Sequence, residues 1–136
     1  GRAGLRQVDV RLELIVPGGL RHIEGFSARR VEWLREKVVA EGIWTRPIAI
    51  DDEHNLVLDG QHRMEVALEL GLKRVPAVRY SYASVEVWSL RPKYAFTWRD
   101  VVDRAIAGDI YPYKTVKHRF PTELPSCEFP LEELLR

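Results

Sequence analysis

Two periodicities take turns along this chain and divide it into elements. From Val8 to Val16, apolar Val8, Val10, Leu12 and Leu14 alternate with Asp9, Arg11 and Glu13, the period-two pattern of a half-buried strand. Pro17-Gly18-Gly19 ends it. A short connector, Leu20-Arg21-His22-Ile23-Glu24-Gly25-Phe26, leads to Ser27, a residue type that caps helix N-termini. Val31, Leu34 and Val38 then recur at helical spacing between charged residues, and Gly42 stands where a C-cap glycine belongs. Arg46 to Asp51 reads as a strand, Asp52-Glu53-His54-Asn55 as a turn, and Leu56-Val57-Leu58 as the partner strand. The next run predicts a helix with Met64, Ala67, Leu68 and Gly71 on one side. Val75 to Tyr80 is another strand, in which Pro76 marks an edge or a strand start.

Residues 84–90 alternate again, Val85, Val87 and Ser89 against Glu86, Trp88 and Leu90. Thr97 and Asp100 have capping-box spacing. Trp98, Val101, Val102 and Ala105 form the inward stripe of a helix closed by Gly108. On spacing, the Trp88 and Trp98 rings read as core. Pro125, Phe129-Pro130 and Leu131 to Leu135 predict a packing arm that ends in a short helix. No internal repeat or low-complexity tract interrupts the pattern.

Composition narrows the class. A chain of 136 residues with 46% hydrophobic and 30% charged positions is globular and sized for one domain. A net charge of +1 gives no bulk electrostatic case for nucleic acid or membrane. Cys127 is the single cysteine, so no intrachain disulfide forms, the expected compartment is a reducing cytoplasm, and the thiol is expected to be buried or inert. No run reaches the length of a membrane span or a secretory segment. The chain begins at Gly1 and its one Met is Met64, so the start is read as a processed, trimmed or tag-derived end.

The chemistry concentrates at Leu58-Asp59-Gly60-Gln61-His62-Arg63. A strand stops at an Asp-Gly pair and a helix follows at once, so the first amides of that helix lack helical partners and favour an anion. Gly60 can take a positive φ or allow a close approach. Arg63 adds a two-pronged cation, His62 a titratable donor, and Asp59 a carboxylate able to hold Mg²⁺ or take a proton. The hexapeptide alone is equally compatible with an ordinary strand-to-helix turn carrying a solvated His-Arg pair. A second basic stretch, Ile110-Tyr111-Pro112-Tyr113-Lys114-Thr115-Val116-Lys117-His118-Arg119-Phe120, crowds several anion donors together, although composition alone favours a solvated basic loop.

Gly60-x-x-Arg63 in this setting resembles the phosphate-binding motif of the ParB/sulfiredoxin superfamily. The string Val57 to Arg63 is most similar to the Asp-Gly-His-His-Arg element of its free serine kinases, with Gln61 in place of the first His. Pro112, Lys114, Thr115, His118 and Phe120 match the spacing of a late Pro-x-Lys-Thr-x-x-His-x-Phe segment in those enzymes. The likeness spans roughly residues 8–120. Taken with the elements above, it implies a single α+β domain over 8–136, with a small mixed sheet and about three main helices, after an N-terminal extension at 1–7.

The resemblance also implies an activity. It is transfer of a phosphoryl group from ATP or ADP, with Mg²⁺, to the hydroxyl of free L-serine, giving O-phospho-L-serine. Glu24 matches the general base of the serine kinases, and Asp59 would assist as a metal ligand or by orienting the hydroxyl. Gly60, Gln61, His62 and Arg63 would hold the nucleotide phosphates. Lys114, Thr115, His118 and Trp98 would hold the acceptor. Sulfiredoxin chemistry would need a cysteine at the position of Gln61 and is set aside. Two alternatives stay open: a ParB-like nucleotide-binding module associated with DNA or regulation, and a kinase of the same fold for another hydroxylated small molecule. DNA is the less expected partner at this charge. Oligomeric state is open.

Overall fold

In the computed structural model, residues 10–136 are described. The expected extension at 1–7, with Val8 and Asp9, lies outside them. Four strands form the central sheet: β1 (Glu13–Ile15), β3 (Ile48–Asp51), β4 (Val57–Asp59) and β5 (Val75–Tyr80). Their order is β1-β5-β3-β4, with β3 and β5 parallel and the other neighbours antiparallel. The sheet is therefore mixed. Both faces are covered. Ile48, Ile50, Val57, Val75 and Ala77 face a core shared with α1 (Ala28–Glu41) and α2 (Gln61–Glu69). Ala49, Leu56, Leu58, Val78 and Tyr80 face a second core closed by α3 (Trp98–Ala107). Double coverage explains why β3, β4 and β5 are near-continuous apolar runs rather than alternating ones.

The helices begin and end where their cap residues stand. Ser27 Oγ accepts from Arg30 N–H at 3.2 Å, and Gly42 closes α1 at φ 69°. Thr97 and Asp100 make the reciprocal capping box of α3, and Gly108 ends it at φ 77°. A two-stranded antiparallel sheet of β6 (Glu86–Ser89) and β7 (Val116–Arg119), which flank α3 in the chain, sits beside this second core. The C-terminal arm packs as expected, through a strand pair that no periodicity announced. Here β2 (Ile43–Trp44) meets β8 (Phe129–Pro130), and the short α4 (Leu131–Leu134) follows. Cys127 is buried there, its thiol donating to the Trp44 carbonyl at 3.6 Å.

Four local expectations are corrected. The strand read across 8–16 spans only Glu13–Ile15, and its covered face is the odd one. Leu12 and Leu14 are exposed, while Ile15 packs on the first core and Glu13 pairs with Arg79 at 2.9 Å. At this sheet edge the register follows Ile15 and the ion pair. Leu68 is exposed, and Val66 takes its place in the core, because α2 is covered across a broad side. Trp88 is exposed on the outer face of the β6–β7 pair, opposite Val87 and Ser89. Of the two readings of Pro76, the strand start holds and the edge does not: β5 is an inner strand, and Pro76 is its second residue, before the pairing with β3 begins at Ala77.

The β3–β4 turn has one organising side chain. Asp51, 2% exposed, accepts from the amides of Glu53, His54 and Leu56 at 3.1, 3.0 and 2.6 Å. Removing it leaves three inward-facing amides without a partner, each costing up to a few kcal/mol where water cannot reach. Asp51→Ala is expected to lower unfolding free energy by about 2–4 kcal/mol in urea titration; a loss under about 0.5 kcal/mol would mean the turn holds without it.

Candidate active site

β4 delivers the chain to Gly60 and α2 starts at the next residue. Gly60 has φ 121°, and a Cβ there would stand 3.1 Å from Ile48 Cγ2 and 3.3 Å from Arg63 Nη1. Both demands, a positive φ and a close approach, thus fall on this glycine. The Met64 amide is the first to return to the chain, donating to Gly60 O at 2.8 Å. The amides of Gln61, His62 and Arg63 are left at the positive end of the helix dipole. The Arg63 guanidinium is fixed under this turn, Nη1 donating to Pro47 O at 2.6 Å and Nη2 lying 3.7 Å from Asp59 Oδ2.

The connector before α1 runs alongside. Val57 N–H donates to Arg21 O at 2.8 Å, and Gly25 N–H donates to Tyr111 O at 2.8 Å. Glu24, between these anchors, reaches the late basic segment. Its Oε1 accepts from the amides of Thr115 and Val116 at 2.9 and 2.8 Å. Those two amides converge because Lys114 is held left-handed at φ 60°, the turned backbone that makes a concave anion nest. Glu24 Oε2 has no hydrogen-bond partner among the described residues. Burial raises the Glu24 pKa above that of an ordinary glutamate, with the nearby Asp59 charge adding to it, against the opposing pull of the two amides and Arg91.

These regions line one cavity of about 660 Å³. Glu24, Asp59, Gly60, Gln61, His62, Arg63, Lys114 and His118 all border it. Lys117 of the late basic stretch borders it too, while the sequence reading missed Arg30, Trp33 and Leu34 from α1, together with Arg46 and Tyr113. Five basic side chains (Arg30, Arg46, Arg63, Lys114, Lys117) face two acidic ones (Glu24, Asp59), so the cavity is cationic although the chain is nearly neutral. The sequence placed Leu34 on the inward stripe with Val31 and Val38, and nothing local said that Arg30 and Trp33, one turn and one residue before it, meet the cleft.

Several expected roles change with the geometry. The Gln61 side chain is buried, its Nε2 donating to Val57 O at 2.6 Å and its Oε1 accepting from His22 Nδ1; only its backbone can serve an anion. His22 continues through Nε2 to Glu65 Oε2 at 2.7 Å. His62 Nε2 accepts from the Ser27 amide at 3.1 Å, so its proton sits on Nδ1. Burial, then Arg30, Arg63 and His22, lower its pKa, and the ring is neutral near pH 7. Its edge meets Tyr113 at 5.4 Å.

His118 is held between the Leu58 backbone and the Tyr82 hydroxyl, the latter at 2.7 Å, and burial pushes its pKa down to about 4. It forms a neutral wall rather than an anion clamp. Thr115 is fully buried and its hydroxyl donates to Pro112 O at 2.7 Å, so its side chain does not line the cavity. Trp98 does not line it either. It packs on Tyr82, 5.8 Å between ring centroids, behind His118.

No family model and no curated protein sequence matches the chain. Solved structures do. Free serine kinase in complex with AMP superposes with a TM-score of 0.80 at 16% identity, over 95% of each chain. A conserved hypothetical protein from Pyrococcus furiosus gives 0.80 at 15% identity, over 96% of this chain and 99% of that one. SbnI from Staphylococcus aureus, truncated at its C-terminus, gives 0.81 at 13%, over 90% and 88%. The chain has the ParB/sulfiredoxin-like fold of free serine kinase. At these identities the likeness carries the fold. The ParB/sulfiredoxin-like core of this chain brings the Gly60 turn and Glu24 to one cleft, and among the described residues no helix is long and apolar enough to cross a membrane.

The Gly60 turn is the least substitutable part of the cleft. Gly60→Ala is expected to lower stability by about 1–3 kcal/mol and to displace Arg63. Thermal melting would show the first and the affinity for pyrophosphate the second; a variant matching the wild type in both would remove the turn from the site.

Proposed function

We propose that this chain is a small-molecule kinase that transfers a phosphoryl group from ATP or ADP to the hydroxyl of free L-serine, giving O-phospho-L-serine. The observation that carries the reading is the convergence of an unspent carboxylate oxygen, Glu24 Oε2, and a helix N-terminus with Arg63 on one cationic cavity. The structures of free serine kinase with AMP, and of a variant of it with ADP, support a nucleotide as the ligand of this fold.

In this reading the terminal phosphates lie on the amides of Gln61, His62 and Arg63, with Arg30 and Arg46 facing their outer oxygens. Lys114 and Lys117 attract the carboxylate of the amino acid and leave its hydroxyl toward Glu24. The hydroxyl oxygen forms a bond to phosphorus while the bridging P–O bond to the nucleotide breaks. The hydroxyl proton passes to Glu24 Oε2, and the charge left on the departing nucleotide is met by Arg63 and the α2 amides. Asp59, partly exposed and pointing into the same space, suits Mg²⁺, which takes one or two carboxylates and completes its shell with phosphate and water. Among the described residues no cluster of three or more His, Cys, Asp or Glu side chains is gathered to hold a metal unaided. When bound, the ion would neutralise phosphate charge.

Phosphorus NMR with ATP or ADP, Mg²⁺ and a panel of hydroxylated amino acids is expected to show a phosphoserine resonance with L-serine. No product with any acceptor would overturn the proposal, and product with another acceptor alone would correct the substrate. Glu24→Gln keeps an oxygen for the Thr115 and Val116 amides but cannot take a proton. Turnover should fall on the order of 10²–10⁴-fold with nucleotide affinity by calorimetry nearly unchanged; wild-type turnover would exclude Glu24 as the base.

The base must be ionised, and burial raises its pKa. The rate should therefore drop with falling pH through a midpoint above the 4.5 of an ordinary glutamate, provided pH is varied where the protein stays folded. A midpoint at or below that value would contradict the assignment.

A further inference from the structure

Glu24, Lys114 and Lys117 line the cavity, and so does α1, whose Arg30, Trp33 and Leu34 stand at i, i+3 and i+4 and share a helix face. Arg46 lines it as well, close enough to Arg63 that their charges repel. Trp33 is 56% exposed, whereas Trp44, which the core does use, is 1% exposed. Trp33 belongs to neither core. The Lys37 ammonium lies 5.7 Å from its ring centroid. A large indole face is thus left open to a cavity lined by guanidinium groups. Folding gives no reason for it.

We infer that Trp33 is the shelf on which the nucleobase stacks, and that the donor is a nucleoside di- or triphosphate chosen with little regard to its base. This rests on the kinase reading and adds the orientation and class of its donor. In this orientation the phosphates lie on Arg63 and the α2 amides, the base on Trp33, and the last phosphate toward Glu24. Every base offers a π face to an aromatic ring, so stacking tolerates purines and pyrimidines alike. With Arg30 and Arg46 turned to the phosphates, the side chains left beside the shelf are the apolar Leu34 and the Lys37 ammonium. Neither accepts a hydrogen bond, so neither can select the exocyclic amino group that adenine, cytosine and guanine carry at different ring positions.

Calorimetric titration of ADP, GDP, CDP and pyrophosphate into the wild type, Trp33→Ala and Trp33→Phe tests this. The three nucleotides are expected to bind the wild type within about ten-fold of one another. Trp33→Ala should weaken all three by roughly 5- to 100-fold, the range of one lost base–aromatic stack, and leave pyrophosphate unchanged. Trp33→Phe should restore most of the loss. Trp33 is exposed, so the alanine variant should keep the wild-type melting temperature. If the wild type binds nucleotides and Trp33→Ala binds them equally well, the shelf is wrong and the kinase reading survives. A preference above about 100-fold for one base overturns the tolerance. If the wild type binds none of the nucleotides, both readings fall.

Discussion

Glu24 Oε1 takes hydrogen bonds from the Thr115 and Val116 amides, joining positions 91 and 92 residues apart in the chain. The cleft depends on this contact. It fixes the connector against the segment that follows α3, and it does so with an oxygen of the side chain proposed as the base. One carboxylate oxygen is used in holding the wall, and the other faces the space the wall encloses. The left-handed Lys114 is the local strain that makes this possible, and the Thr115 hydroxyl bonded to Pro112 O steadies the turn.

The opposite wall is built from backbone. Gly60 allows a strand to pass into a helix with no intervening loop, and Arg63 is pinned below it by Pro47 O. Around this point the guanidinium groups of Arg30, Arg46 and Arg63 gather, and burial opposes the charge of the last. Such a cluster is unfavourable when empty and favourable with a multiply charged anion among its members, which is the physical reason for expecting phosphates. The histidines serve the frame. His62 and His118 are kept neutral by burial, helped at His62 by the charge of Arg30, and their ring nitrogens are tied to the Ser27 amide and the Tyr82 hydroxyl.

Much of this was legible in the letters. Ser27, Gly42, Thr97 with Asp100, and Gly108 marked the helix ends, since capping is a local matter. The apolar runs at 48–50, 56–58 and 75–78 marked strands because both sheet faces are covered. Glu24, the 59–63 turn and Lys114 could be placed together only through the resemblance, and the cavity does gather them. Tertiary pairing was not legible. Whether Gln61, Thr115 or His118 is free for a ligand depends on Val57 O, Pro112 O and the Tyr82 hydroxyl, which come within reach only on folding. The same holds for Trp33 against Trp98. Both follow helical spacing, but one faces the cleft and the other packs behind Tyr82. At β1, an ion pair outweighed the alternation of leucines.

The central claim is one of placement: a nucleotide's last phosphate and an acceptor hydroxyl meet beside Glu24. A crystal structure of the protein with ADP and L-serine tests it most directly. The account predicts phosphate oxygens on the amides of Gln61 to Arg63 and the serine hydroxyl within hydrogen-bond reach of Glu24 Oε2. A nucleotide bound outside this cleft, or a serine whose hydroxyl points away from Glu24, would contradict it.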